Sequence, residues 1–391
     1  MTITFDLLQT MGIAALVFFL GNYLKSKIQF LQTYFIPAPV IGGLICSLLI
    51  FFAHKMGVEM KFTMTLQDFF MNIFFTCTGF TCSLEVIKRS GKQGAILAIG
   101  AVTFLAVQNL IGIGLSEVMD IHPLLGIAMG SISMSGGIGS AAAFGPVLEQ
   151  YGAVGGTTIG IAAATFGLLL GSLVGGPVAH RLITRYNLKS SAQISTQENN
   201  ESFHELSEKK LFKGTLIIFL GSMIGVYIHE LLLLTGLKFP YFVGCLFGGM
   251  LLRNLSDAGI GQLEHKEIDI LGNISLNIFL SLALMSLNIS KLVDLALPMI
   301  VILLVQATVM AIWAYWITFR SMGKDYEAAV MAAGHCGVGL GQTPNALANM
   351  KVVIEKHGAA PNAWFVLPVI TVIFINICNP IIISFFIDYF K

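Results

Sequence analysis

Charge is what this 391-residue chain has least of: Asp, Glu, Lys and Arg make up 11% of it, against about 25% in an ordinary soluble domain. The formal net charge is +1, which gives a polyanion no field to bind, so nucleic acid is excluded as a partner. The six cysteines (Cys46, Cys77, Cys82, Cys245, Cys336 and Cys378) are scattered, mostly within apolar stretches and without metal-ligand spacing. They read as small buried hydrophobes, with no disulfide framework or zinc site. Also missing are a His-Glu-x-x-His, a Gly-x-Ser-x-Gly elbow, an obvious intramembrane aspartate pair and a Walker lysine motif. Those absences argue against an enzyme and against direct use of ATP. The chain opens Met1 to Asp6 without a basic n-region, and no small-residue cleavage site follows the first apolar run, so no cleavable leader is expected.

What is abundant is apolar sequence, 55% of the residues, with a mean hydropathy of +0.82. Ten stretches suit membrane spans of about 20 residues: 6–24, 36–54, 66–86, 93–117, 155–182, 211–235, 239–255, 268–289, 295–319 and 361–389. Two further segments, 123–151 and 325–357, are apolar, then Gly/Ser/Thr-rich, then helical with a charged end. That pattern predicts re-entrant hairpins. The one long polar stretch, 184–210, reads as a cytoplasmic linker. It separates an N-terminal repeat, 1–183, from a C-terminal repeat, 211–391. The halves match at nearly constant spacing: Ile36-Pro37 aligns with Phe239-Pro240 and Pro177 with Pro380 at 203 positions, Gly130 with Gly334 at 204, and Gly139 with Gly341 at 202. Five spans per repeat is an odd number, so the second repeat is inverted relative to the first. With the N-terminus outside, 17 Lys and Arg fall inside and five (Lys55, Lys61, Lys238, Lys291 and Lys391) fall outside, as the positive-inside rule requires. Both termini are therefore expected outside, with the first hairpin entering from outside and the second from inside.

The candidate chemistry lies at the two hairpin tips, Ser135-Gly136-Gly137-Ile138-Gly139-Ser140 and His335-Cys336-Gly337-Val338-Gly339-Leu340-Gly341-Gln342-Thr343-Pro344-Asn345. Broken backbone at membrane depth survives only inside protein or along a polar cavity, and paired interruptions in two halves point to a transporter's binding site. Gly136, Gly137, Gly139, Gly337, Gly339 and Gly341 permit close backbone approach. Helices that start just after the tips present N–H groups and partial positive charge to a carboxylate. Ser135, Ser140, Gln342, Thr343 and Asn345 add donors and acceptors. His335 is an ionisable residue in an apolar run, a functional candidate by its position. The last span of each half supplies the walls: Thr165, Ser172 and Gly175-Gly176-Pro177 in one, Asn376 and Asn379 before Pro380 in the other. The two asparagines share a helix face, and their amides are hard oxygen ligands of a kind Na⁺ accepts. Asp325 and Glu327 are expected at a solvated hairpin entrance. Gln108-Asn109 and the pair Asn273, Asn277 read as packing features.

The chain closely resembles the bacterial sodium/glutamate symporter family. The likeness is carried by Ile36-Pro37-Ala38-Pro39-Val40-Ile41-Gly42-Gly43, the run Ser135 to Ala143, Ala163-Ala164-Thr165-Phe166-Gly167, Val174 to Ala179, and Ala332 to Gly341. It implies an all-α polytopic protein of the bacterial inner membrane, a homodimer surrounded by lipid, with elevator-type scaffold and transport domains. It implies uptake of L-glutamate coupled to Na⁺, the carboxylates held at the tips and Na⁺ held by carbonyls near Gly137 and Gly339 and by Asn376 and Asn379. One departure is Ile138, where family members often carry histidine. A Na⁺-coupled carrier of aspartate or of citrate- or malate-like acids, and an uncoupled channel, are the alternatives.

Overall fold

The computed structural model describes residues 2–33, 36–190, 207–237, 239–285, 287 and 293–391. The centre of the linker (191–206), the end of the eighth expected span beyond Met285 except for Leu287, and two basic residues of the outside set, Lys238 and Lys291, lie outside the described residues.

Fourteen helices carry the architecture: α1 (Leu7–Lys27), α2 (Ala38–Lys55), α3 (Thr65–Gly79), α4 (Gly91–Val118), α5 (Pro123–Ile127), α6 (Gly137–Gln150), α7 (Gly156–Tyr186), α8 (Glu208–Leu233), α9 (Tyr241–Asp257), α10 (His265–Met285), α11 (Ala296–Trp313), α12 (Tyr326–Gly339), α13 (Thr343–His357) and α14 (Pro361–Phe390). Among the described residues, nine helical stretches of 18 to 31 residues are long and apolar enough to cross a membrane, α3 counted with its continuation to Lys88 and α11 with its continuation to Ser321. The seventh of the ten expected spans is the exception. Its helix, α9, has 17 residues and ends in Arg253, Asn254 and Asp257, at the short end of what a bilayer accommodates.

Two local features depart from the expectation. The fold is not purely helical, because Thr2–Thr4 (β1) pairs in parallel with Glu59–Lys61 (β2). Phe5 stacks on Phe62 at 5.1 Å beside this pair. Helix also invades both ends of the expected linker. α7 runs on to Tyr186, where Asn187 stops it in the left-handed conformation (φ 48°), the kind of residue and geometry that ends a helix. α8 takes in Glu208, Lys209 and Lys210.

Matching proline starts recur in the two halves: Pro37 caps α2 and Pro240 caps α9. Proline suits a helix start because it needs no intrahelical N–H partner. The helices pack as two groups. In the first, α1 lies on α2, α8 on α9, and α3 and α10 join the two pairs. Glycine lets these backbones meet: a Cβ on Gly21 or Gly42 would strike the facing helix, and one on Gly225 would lie 2.5 Å from the Cα of Cys245. The second group contains α4 to α7 and α11 to α14. In it α4 packs on α14 and α7 on α11, so the fourth span of each half meets the fifth span of the other. The first three spans of each half thus make one group, and the last two with their hairpin make the other.

Both hairpins return to where they start. His122 lies against Gly152, within 3.6 Å of a Cβ placed there, and the Tyr326 hydroxyl donates to the Gly358 carbonyl at 2.5 Å. The first hairpin is α5, a π turn over Ala128–Ile132 with non-helical backbone at Gly130, and α6. The second is the tighter pair α12 and α13.

Candidate functional site

The two tips meet inside the second group. α6 begins at Gly137, whose φ is +70°, and no side chain caps its first turn. A Cβ on Gly137 would lie 2.6 Å from Nε2 of Gln342, so the amide of one tip rests on the bare backbone of the other. α13 begins beyond Gln342, again without a side-chain cap, with Pro344 in its first turn. Two helix starts without side-chain caps therefore converge, an arrangement that favours an anionic ligand; at α13 Pro344 has no N–H and the Asn345 N–H bonds to the Gln342 carbonyl at 3.0 Å, which leaves that of Thr343. Ser140 and Thr343 are half-buried beside them. A Cβ on Gly337 would lie 2.5 Å from the Ala346 backbone nitrogen, one on Gly339 would meet Met310, and one on Gly341 would meet Asn345. Gly139 faces the first group, where a Cβ on it would lie 3.2 Å from Phe74. Ile138 is 1% exposed and belongs to the main apolar cluster.

A residue pair read from sequence as packing proves central to this arrangement. Gln108, fully buried in α4, accepts a hydrogen bond from Ser135 Oγ at 2.7 Å and donates to the Gly339 carbonyl at 2.7 Å. Gln306 of α11, which drew no attention in the sequence, donates to the backbone carbonyl of Gln108 at 2.7 Å. Asn109 Oδ1 accepts from the Ser131 N–H at 2.9 Å, and Asn379 of α14 donates to the Ser131 carbonyl at 3.0 Å. A single polar residue inside an apolar helix leaves no periodic signal. The available clue was its position in mid-span, where an amide is costly unless it has partners.

This polar joint has unsatisfied atoms. Among the described residues, Ser131 Oγ and Asn379 Oδ1 are buried without a hydrogen-bond partner, as are Asn109 Nδ2, Gln306 Oε1 and Asn345 Oδ1. An unpaired buried oxygen loses its hydration with no return. Ser131 Oγ and Asn379 Oδ1 belong to residues already tied together and sit beside the backbone break at Gly130. Two neutral oxygens and a kinked backbone are a donor set of the kind a small hard cation takes.

The other expected site residues are placed as follows. Asn345 donates to the Leu168 carbonyl at 2.6 Å and to Ser172 Oγ at 2.8 Å, and Asn349 donates to the Gly171 carbonyl at 2.8 Å, so α13 is pinned along α7. Thr165 is half-buried and bonds back to Ile161 within its own helix. His335, 2% exposed, is hydrogen-bonded through Nδ1 to Thr318 at 2.8 Å, in the π turn after α11. It is thus engaged away from the tips. Asn376 is half-buried and makes no side-chain hydrogen bond among the described residues, while Asn379 one turn on is 2% exposed. Asp325 caps α12 through the Ala328 N–H at 2.8 Å, and Glu327 accepts from the Ala363 N–H at 2.7 Å. Where the two groups face each other, a cleft of about 380 Å³ lies along α6, walled by Asp68, Asn72 and Tyr241.

Comparison with known proteins gives this geometry a context. The family model described as sodium/glutamate symporter matches residues 3–359. The sodium/glutamate symporter of Escherichia coli K12 is 39% identical over 390 residues, 97% of each chain. That of Haemophilus influenzae is 37% identical over 389 residues, 97% of this chain and 96% of the other. Among solved structures, the sodium proton antiporter MjNhaP1 of Methanocaldococcus jannaschii aligns over 99% of this chain and 98% of its own, at 14% identity and a TM-score of 0.45. The match along nearly the whole chain, with the glycine tips inside it, leads to one conclusion: this chain belongs to the sodium/glutamate symporter family.

Proposed function

We propose that this protein carries L-glutamate into the bacterial cell with Na⁺, the second helix group moving with its cargo against the first. The observation that carries this reading is the meeting of two uncapped helix starts, from opposite halves, inside one packing group. The carboxylates are held by the N–H groups at the starts of α6 and α13, helped by Ser135, Ser140, Gln342 and Thr343. Na⁺ is held by Asn379 Oδ1 and Ser131 Oγ, with Asn376 and the carbonyls near Gly137 and Gly339 as further oxygens. The first group is the scaffold. Both termini face outward, a reading supported by the 17 to five division of basic residues.

Charge explains why coupling is needed. Glutamate bears a net −1 charge, and moving it alone against an inside-negative potential costs roughly 2.3 kcal/mol per 100 mV. More than one Na⁺ per glutamate makes the loaded carrier net positive, and the potential then assists entry. No Lys, Arg, Asp or Glu lies in the tip segments 135–140 and 335–345, so what the tips themselves offer a carboxylate is backbone dipoles, hydroxyls and amides.

The test is uptake of radiolabelled L-glutamate by proteoliposomes under an inward Na⁺ gradient, with K⁺ and proton gradients as controls. Concentrative uptake with Na⁺ alone is expected. Na⁺-driven uptake of labelled citrate or malate, with none of labelled glutamate or aspartate, would reassign the substrate. Na⁺ conductance without accumulation would make the protein a channel.

A further inference from the structure

We infer that Gln108 is a positioning residue that makes the two hairpin tips move as one. It rests on the reading of the tips as the substrate site, and it concerns what links them. The side-chain amide of Gln108 has two ends, and each is committed to a different tip: Oε1 accepts from Ser135 of the first and Nε2 donates to the Gly339 carbonyl of the second, both at 2.7 Å. The residue is 0% exposed, so no water replaces a lost partner. Displacing either tip alone leaves one end of a buried amide unpaired, which is costly in a low-dielectric interior. Motion of both tips together with α4 keeps both bonds and incurs neither cost.

The anchorage of Gln108 fits this role. Its own backbone carbonyl accepts from Gln306 Nε2 at 2.7 Å, which ties α4 to α11 of the other half. Its neighbour Asn109 holds the N–H of Ser131 at 2.9 Å, and Ser131 is the residue joined to Asn379. Two consecutive side chains on one helix therefore touch the first tip, the second tip and the Ser131–Asn379 joint. An apolar residue of similar volume would fill the same space without linking any of them.

Amide hydrogen exchange on the whole protein in lipid nanodiscs, without ligand, tests the link. The expected result is a cross-tip effect: Ser135→Ala, a change in the first tip alone, speeds exchange in residues 337–342 as well as in 133–140, by about five-fold for one lost buried hydrogen bond. Ser135→Thr, which keeps the hydroxyl, restores both. Gln108→Leu speeds both tips together. Exchange that quickens only in 133–140 with Ser135→Ala, or in neither tip with Gln108→Leu, overturns the inference. Because no ligand is used, these outcomes stand apart from the uptake assay, whose failure would instead remove the carrier reading.

Discussion

Replacing Asn379 with leucine separates a ligand role from a packing role. The side chain is 2% exposed, its amide nitrogen donates to the Ser131 carbonyl at 3.0 Å, and its Oδ1 has no partner. In Na⁺-free buffer the substitution removes one hydrogen bond, worth about 0.5–1.5 kcal/mol, and also removes an unsatisfied buried oxygen whose desolvation costs about 1–3 kcal/mol. Leucine has similar bulk, so the two effects offset and stability should stay within about 1 kcal/mol of the parent. In Na⁺ the two proteins should diverge. A bound ion at roughly 100 times its dissociation constant stabilises the parent by about 2.7 kcal/mol. Loss of one of a few oxygens should weaken affinity at least about ten-fold, or about 1.4 kcal/mol. Thermal unfolding in Na⁺ against K⁺ at equal ionic strength reads this difference, and the Na⁺ activation curve of uptake should move to higher concentration by the same factor. A folded Asn379→Leu protein with undiminished Na⁺ stabilisation and an unmoved activation curve would refute the assignment of Asn379 to the ion.

Other substitutions distinguish the remaining roles. Asn376→Ala removes no hydrogen bond among the described residues, so its melting point in K⁺ should equal the parent's while Na⁺ activation shifts to higher concentration; an unchanged curve takes Asn376 out of the ion site. Gly137→Ala puts a Cβ at φ +70° and 2.6 Å from Gln342 Nε2, a strain of about 1–3 kcal/mol. Its KM for glutamate should rise steeply while stabilisation by Na⁺ alone persists, and a parental KM would place the substrate elsewhere. Asn345→Ala deletes the bonds to Leu168 and Ser172 that pin α13 to α7. It should lose about 1–3 kcal/mol of stability in Na⁺ and K⁺ alike, and a loss confined to Na⁺ would make Asn345 an ion ligand instead.

Much of this fold was legible because a bilayer forbids most alternatives. Each crossing needs about 20 apolar residues, and broken backbone must be sheltered. The long apolar helices and the prolines that start α2 and α9 were therefore visible in order and spacing alone. α9 is short for a span, because Arg253, Asn254 and Asp257 complete its apolar core with polar residues. The pairing of β1 with β2 was invisible, since three-residue strands 57 positions apart carry no pattern of their own.

The sequence by itself determined that the chain lives in a membrane and that glycine-rich runs recur about 202 to 204 positions apart. Those properties are local, and hydropathy and backbone sterics enforce them wherever the segment ends up. Which polar atoms meet was decided only by the tertiary structure. Gln108, Ser135 and Gly339 come from three separate elements, and Ser131 and Asn379 lie 248 positions apart. Nothing in the sequence marks such partners, because a hydrogen bond between helices depends on the crossing of two axes and on which face each turns inward. Helix packing sets that geometry, and with it the unpaired oxygens of Ser131 and Asn379 beside the broken helix at Gly130.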